Sequence, residues 1–370
     1  MDNIMDKKIV IDIGSYYIKV GYSNEDRPRL IVPSTIGRPR FLDLSRDLCD
    51  KPHYIGSEAI SKKGILALKY PIEYGVVSNW DDMEKILVYI FNELNVNTEE
   101  YSVIIAQSPI DTNKNKEEIT KVMFETFNVQ NLYIGIQQEL TLKSIGLKTG
   151  LVVDSGDSST LIVPVIDGVV ERNSVVLLKI GGRDITDYLF KLLNENGNKI
   201  YQYDKNIVSQ VKENFGFISL DCYNEQQQEE KEYQLPAGKM INFTNEVFKA
   251  PELIFNPSLH QIPMDSIDRL IYETIMKFNK KEIQKDLFSN IVLTGGNTKF
   301  KGFKERLEKE MHNVLSSNEG ECVTIKITST SEPLYSSWLG CSLIETSHYN
   351  SKNYSRFEYD KVGPSIIYSK

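Results

Sequence analysis

The sequence predicts an α/β protein built from two duplicated lobes, and three observations carry that prediction. A strand–turn–strand unit occurs twice. Strand-like apolar runs alternate with helix-period segments along the rest of the chain. The length, 370 residues, exceeds the roughly 250–300 that one hydrophobic core usually organises.

Taken in order, the first unit is Ile9-Val10-Ile11-Asp12-Ile13-Gly14-Ser15, an apolar run ended by an Asp, a Gly and a small hydroxyl residue. It returns as Tyr17–Tyr22, so a buried strand, a glycine turn and a second strand make a β-hairpin. Asn79 can cap a helix whose first turn carries Asp81 and Asp82, favourable against the helix dipole. Met83, Ile86, Leu87, Ile90, Phe91 and Leu94 then follow the spacing of an amphipathic helix. Residues 102–106 and 132–136 read as strands, and Gln137 opens a helical run. Leu151-Val152-Val153-Asp154-Ser155-Gly156-Asp157 repeats the opening motif, Asp154 lying 142 residues after Asp12, with 160–165 as its second strand. Residues 174–180 read as a strand, and Ile185, Tyr188, Leu189, Leu192 and Leu193 mark a helix directly after Gly181-Gly182. Ile207, Val208, Val211 and Phe215 mark a shorter helix, and the polar segment 224–232 reads as an exposed loop or a solvated helical edge. Ile291–Thr294 is a strand running into Gly295-Gly296. Phe303, Leu307 and Met311 share one face of a helix behind Gly302, and 323–327 is the last strand candidate.

Composition narrows the function classes. A hydrophobic fraction of 41% with 25% charged residues fits a soluble globular chain and not a disordered one. Lys and Arg number 43 against 51 Asp and Glu, a net charge of −8, which argues against nucleic acid as the main ligand. No secretory signal and no membrane insertion are expected, because no stretch approaches the ~20 apolar residues a span needs. Cys49, Cys222, Cys322 and Cys341 are scattered, with no disulfide framework and no zinc signature. His53, His260, His312 and His348 are far apart and read as surface or packing residues. Neither a Gly-x-Ser-x-Gly elbow nor a Gly-x-x-x-x-Gly-Lys-Ser/Thr loop occurs.

The two Asp-Gly hairpins carry the sharpest chemical signal. Backbone N–H groups crowded in a Gly/Ser turn form an anion-binding nest. Hydroxyls of Ser15 and Ser155 can add donors, and Lys19 can reach back over its turn to neutralise phosphate charge. Asp12 and Asp154 suit a hydrated Mg²⁺ bridging phosphates, since that ion keeps several waters and few carboxylates. One such hairpin is most often merely a turn. Two, opening duplicated lobes, favour a nucleotide in a cleft between the halves. Gly295-Gly296 lets a flat base approach backbone closely, although Gly-Gly alone is weak. Lys212 and Glu213 could contact base and ribose, although a Lys-Glu pair is usually a solvated face. Gln137 could orient an attacking water without taking a full proton; its plainer reading is a polar helix start.

Longer runs then bring in a resemblance. Ile36-Gly37-Arg38-Pro39-Arg40, Leu68-Lys69-Tyr70-Pro71-Ile72-Glu73 and Asn79-Trp80-Asp81-Asp82-Met83-Glu84-Lys85 are similar to eukaryotic actin. So are Met123-Phe124-Glu125-Thr126-Phe127-Asn128, Asp154-Ser155-Gly156-Asp157 and Gly182-Arg183-Asp184-Ile185-Thr186-Asp187-Tyr188-Leu189, together with 293–296 and Gly363-Pro364-Ser365-Ile366. The resemblance spans essentially the whole chain and favours a divergent actin or actin-related protein over sugar kinases, heat-shock chaperones or bacterial shape-determining homologues. It implies the actin-like ATPase fold, two lobes and four subdomains, with Mg-ATP in a central cleft. Subdomain 1 would take 1–33, 71–144 and 336–370, subdomain 2 would take 34–70, subdomain 3 would take 145–180 and 265–335, and subdomain 4 would take 181–264.

Carried over by position, Ser15, Tyr16, Tyr17 and Lys19 would line the first phosphate loop. Asp154, Gly156, Asp157, Ser158 and Ser159 would form the second. Gln137 would position the water, and Asp12 and Asp154 would hold the hydrated Mg²⁺, with Asp154 also counted as catalytic. Gly182, Lys212, Glu213, Gly295, Gly296, Asn297, Lys299 and Phe300 would surround ribose and base. Tyr16 and Ser158 stand where the family has glycine, Leu334 where it has a lysine beside the adenine, and Leu161 where it has a histidine near the attacking water. An apolar residue cannot relay a proton or hydrogen-bond that water, so hydrolysis is expected to be slower than in actin. The loop 41–53 and the segment 259–264 depart from the family's filament contacts, which predicts poor copolymerisation with ordinary actin. The implied function is a cytoplasmic cytoskeletal protein, with the nucleus left open, that polymerises or regulates filaments. Its partners would be itself, actin filaments or actin-binding proteins. The alternative is a non-polymerising actin-related subunit of a larger complex with ATP as a structural cofactor.

Overall fold

A computed structural model describes residues 7–40, 50–201, 205–222, 225, 229–234, 238, 240–317, 324–344 and 353–369. The chain divides into two units. The first takes Met1–Lys148, Gly168–Arg172 and Tyr335–Lys370, and the second takes Thr149–Asp167 and Asn173–Leu334.

The first unit is organised by β1 (Lys8–Ile13), whose residues are all buried. The turn Gly14-Ser15-Tyr16 reverses the chain into β2 (Tyr17–Tyr22), antiparallel to β1, and β3 (Leu30–Pro33) pairs with β2. Helix α1 (Trp80–Leu94) starts where expected: the Asn79 side chain accepts the Asp82 backbone N–H, and Asp81 and Asp82 sit in the first turn. Strands β4 (Ser102–Gln107) and β5 (Asn131–Ile136) run parallel to β1. The six-stranded sheet ends with Tyr354–Ser355 paired to β5, and α2 (Gln137–Ser144) begins at Gln137. One side of the sheet packs Ile9, Ile11, Val103 and Ile105 with Met83, Ile86, Leu87 and Ile90 of α1. The other packs Val10, Ile104, Ala106 and Tyr133 with Trp338, whose indole N–H donates to the Val10 carbonyl at 3.2 Å. Alternation along β1 thereby serves both faces. A three-stranded sheet, Ile36–Pro39, Tyr54–Ile55 and Leu66–Lys69, belongs to the same unit.

The second unit repeats the plan. Its β6 (Gly150–Ser155) turns back into antiparallel β7 (Thr160–Ile166), on which β8 (Val176–Leu178) pairs. Then follow α3 (Gly182–Glu195), α4 (Lys205–Phe215) and α5 (Ile267–Met276). Strand β9 (Ile291–Thr294) runs parallel to β6, α6 (Phe303–Ser317) follows, and β10 (Ile327–Ser329) runs parallel to β9. Leu151, Val153 and Ile162 pack with Ile185, Leu189, Ile271, Phe303 and Leu307. In both units the Asp strand has an antiparallel hairpin partner on one side and a parallel strand on the other. The predicted duplication is therefore present in the strands around each Asp, while the edge strand Tyr354–Ser355 has no counterpart among the described residues of the second sheet.

Three expectations shift. The strand expected at 174–180 shortens to Val176–Leu178, because Arg172–Ser174 is a 3₁₀ turn and the Ile180 carbonyl accepts the Thr160 hydroxyl. The strand expected at 323–327 is instead Ile327–Ser329, since pairing with β9 starts at Ile327 opposite Ile291; residue 323 lies outside the described residues. In the polar segment 224–232, Lys231 and Glu232 open the strand Lys231–Gln234, paired with Met240–Phe243. Polar composition hid that hairpin because its charged residues face solvent. Residues 41–49 of the divergent loop, residues 224 and 226–228, and Lys370 lie outside the described residues, as do Cys49, Cys322, His348 and the side chain of His260. Cys222 and Cys341 are free thiols, the latter fully buried.

Candidate functional site

The first turn is built on Asp12, 1% exposed at the end of β1. Its cross-strand partner is Lys19, whose Nζ reaches back to Asp12 Oδ2 at 3.0 Å. From α2, Gln137 Nε2 donates to Asp12 Oδ1 at 2.8 Å and to the Ile13 carbonyl at 3.1 Å. Both amide hydrogens of Gln137 are thus committed, which fixes the carboxamide's orientation and leaves its oxygen as an acceptor. Only glycine fits at position 14, since a Cβ there would stand 2.6 Å from the Tyr17 carbonyl and 3.2 Å from Lys19 Nζ. Ser34 fixes the turn from outside: its hydroxyl donates to the Gly14 carbonyl at 2.6 Å and its N–H to the Tyr16 carbonyl at 2.8 Å. The Gly75 N–H donates to Ser15 Oγ at 3.1 Å. The Tyr16 ring is exposed and meets Tyr17 edge-on, centroids 4.5 Å apart.

The second turn differs at the matching position. Asp154 is half-buried, and its cross-strand partner is Leu161, buried at 6% exposure. Leu161 thus occupies the register that Lys19 holds in the first hairpin. Gly295 adopts φ +87°, and a Cβ there would stand 2.4 Å from the Ser155 carbonyl and 2.7 Å from Asp154 Oδ1. The Gly156 N–H closes the turn on the Ser159 carbonyl at 2.9 Å, and Ser158 and Ser159 are buried. The Ser155 hydroxyl does not face outward as a donor: it is fully buried and 2.8 Å from Thr160 Oγ1. Asp157 is paired with Arg183, whose Nη2 lies 2.9 Å from its Oδ2.

Further residues gather around the start of α3. The Gly182 N–H donates to the Gly156 carbonyl at 2.9 Å. Lys212 is buried, donates to the Gly182 carbonyl at 2.8 Å, and has its ammonium pKa pushed down by burial. Glu213, one residue on, is exposed and accepts from Ser209 at 2.9 Å. Asn297 is buried against Ser155 and Gly156. Phe300 packs on Gly216, while Gly296 and Lys299 are exposed; a Cβ on Gly296 would stand 3.5 Å from Leu334. The first unit thus brings together Asp12, Ser15, Tyr16, Tyr17, Lys19 and Gln137. The second assembles its own set, with Glu213 turned outward. Sequence reading passed over Ser34, Gly75 and Thr160, and gave Arg183 no role. Ser34 lies 20 residues and Gly75 60 residues from their partners, so no local pattern marks them.

The carboxylates differ in what they offer a cation. Asp12 is enclosed and both its oxygens already accept hydrogen bonds. Asp154 keeps part of its surface. Among the described residues no group of three or more His, Cys, Asp or Glu could hold a metal ion. Each carboxylate alone offers too few ligands for a bare ion and would suit at most one that keeps its water, as Mg²⁺ does.

Two duplicated α/β units, each opening on an Asp-Gly hairpin whose strand is flanked by a parallel neighbour, define the class of fold. The actin family model matches residues 5–370, and the chain belongs to the actin family. Among its relatives is a Dictyostelium discoideum protein described as "Putative actin-29", 38% identical over 382 aligned residues that cover 100% of this chain and 98% of that protein. Among the described residues no helix is long and apolar enough to cross a membrane.

Proposed function

We propose that this chain binds ATP with Mg²⁺ and acts in the cytoplasmic cytoskeleton, polymerising or regulating actin-type filaments, with slow ATP hydrolysis. The observation that carries the reading is the repeated hairpin in matched register. Each unit has a glycine turn directly after an Asp near the strand end, the residue types that phosphates and a hydrated cation require. The four subdomains given above are the proposed division of the chain, and itself, actin filaments and actin-binding proteins are the proposed partners. When bound, Mg²⁺ would neutralise phosphate charge, held through water mainly by Asp154.

The residues have separable roles in this reading. Lys19, folded over Gly14, offers its ammonium to phosphate oxygens while holding Asp12. Gln137, with both N–H groups taken by Asp12 and Ile13, presents its carbonyl oxygen to a water and orients it without accepting its proton outright. Leu161, paired in register with Asp154, supplies neither donor nor acceptor, so a water held at that turn would find no proton relay there. That one contact also favours a second reading, in which ATP is a retained structural cofactor of a non-polymerising subunit.

Sedimentation of the purified protein loaded with ATP separates the two. ATP-dependent pelleting above a critical concentration supports the filament reading. Soluble monomer at every concentration, with ATP tightly bound, supports the complex-subunit reading. Absence of bound ATP contradicts both.

A further inference from the structure

We infer that Asn297 is a positioning residue that locks the second turn to the start of α3, and not a contact for base or ribose; the inference rests on the nucleotide reading above. Asn297 is 6% exposed. Its Nδ2 donates to Ser155 Oγ at 3.1 Å and to the Gly156 carbonyl at 2.7 Å, so both amide hydrogens face inward and are used. Ser155 Oγ lies 2.8 Å from Thr160 Oγ1, which donates to the Ile180 carbonyl at 2.9 Å. A hydroxyl has one proton to give. Thr160 gives its proton to Ile180, so Ser155 gives its own to Thr160 and accepts from Asn297. The direction of the whole chain is fixed, from Asn297 through Ser155 and Thr160 to Ile180.

That chain ends at the residue before Gly181-Gly182, where α3 begins. The Gly182 N–H donates to the same Gly156 carbonyl that Asn297 uses, at 2.9 Å. A Cβ on Gly182 would stand 3.1 Å from Asn297 Oδ1, so the carboxamide also packs on the Gly182 backbone. One side chain therefore ties three segments: the Gly-Gly exit from β9, the turn after β6 and the N-terminus of α3. A carboxylate at position 297 has the same shape but only acceptors. It would face the Gly156 carbonyl without a proton between them, and Ser155 would have to turn its hydrogen away from Thr160.

The test uses the full-length protein, with equilibrium binding of ATP, ADP, AMP and GTP to the wild type, Asn297→Ala, Asn297→Asp and Ser155→Ala. The expected result is ATP affinity about tenfold weaker in each variant, as loss of buried hydrogen bonds implies. The preference for ATP over AMP shrinks, because the phosphate turn is what loosens, while the preference for ATP over GTP stays unchanged. A changed ATP-to-GTP preference with the ATP-to-AMP preference intact would overturn the inference and make Asn297 a base contact. A second arm needs no nucleotide. Hydrogen exchange at the Gly156 and Gly182 amides should quicken about tenfold in Asn297→Ala, with β1 and β4 unchanged; unchanged rates at those two amides overturn the lock. If the wild type binds no ATP, the nucleotide reading fails and the exchange arm alone decides the lock. Should Asn297→Ala not fold, Ser155→Ala and Asn297→Ser give the same readouts.

Discussion

At the scale of single residues, the two hairpins show how one register position can carry opposite chemistry. Position 19 puts an ammonium on Asp12, and position 161 puts a leucine beside Asp154. Leu161→His should raise ATP turnover by about tenfold to a hundredfold, the range a positioned acid–base group supplies, measured as phosphate release from the purified protein. Unchanged turnover would mean that side chain does not meet the water. Asp184 gives a pH signature. Its carboxylate accepts the Gly181 N–H at 2.8 Å, yet burial is the largest influence on it and raises its pKa, with Arg183 opposing and Asp157 adding to the rise. A raised carboxylate pKa means the folded state holds the proton more tightly than the unfolded one. The associated stability is fully present below the ordinary value of 3.8 and is lost as pH rises through the raised value. Asp184→Asn keeps an acceptor for Gly181 and should flatten the part of the melting-temperature profile that lies above pH 3.8; an unaltered profile would exclude Asp184 as its source.

Elements are held by contacts of graded cost. The Asn79 cap on α1 satisfies the Asp82 N–H, so Asn79→Ala should lower stability by about 1 kcal/mol and Tm by about 2–4 °C in a thermal melt. The Arg38 guanidinium grips the buried Asp82 carboxylate with two nitrogens, linking the small sheet to the first turn of α1. Arg38→Ala removes two charge-assisted hydrogen bonds from that carboxylate and, with Arg38 itself partly exposed, should cost about 1–3 kcal/mol by denaturant titration, more than the cap. The cap was legible in sequence because Asn79, Asp81 and Asp82 are neighbours, and α1 because its apolar period is local. The Arg38–Asp82 pair was not, since 44 residues separate its members. The same contrast runs through the candidate site. Asp12, Gly14, Asp154 and Gly156 announced themselves by spacing along one strand. Ser34 and Gly75, which donate to the first turn, are brought in by tertiary packing, and Thr160, which takes the Ser155 proton, is placed by the hairpin register. Ser155 illustrates the error this produces: residue type suggested an outward donor, whereas burial and the neighbouring Thr160 commit its proton inside. Edge strands suffered likewise, because Lys231–Gln234 has no apolar alternation to betray it.

For the whole molecule, length and alternation of elements pointed to two units, and the chain divides into two, each with the same strand arrangement around its Asp. Membership of the actin family accounts for that duplication. The net charge of −8 is a property of the whole chain, and in the proposed reading the anionic ligand would be met locally by the turn amides and by Lys19, which also pairs with Asp12. Equilibrium binding of Mg-ATP to the full-length protein and to Asp154→Ala tests the central claim most directly. The account predicts saturable binding by the wild type, weakened about tenfold or more by Asp154→Ala, with thermal unfolding of the unliganded proteins nearly unchanged. Absence of binding by the wild type, or equal affinity of the two proteins, would contradict it.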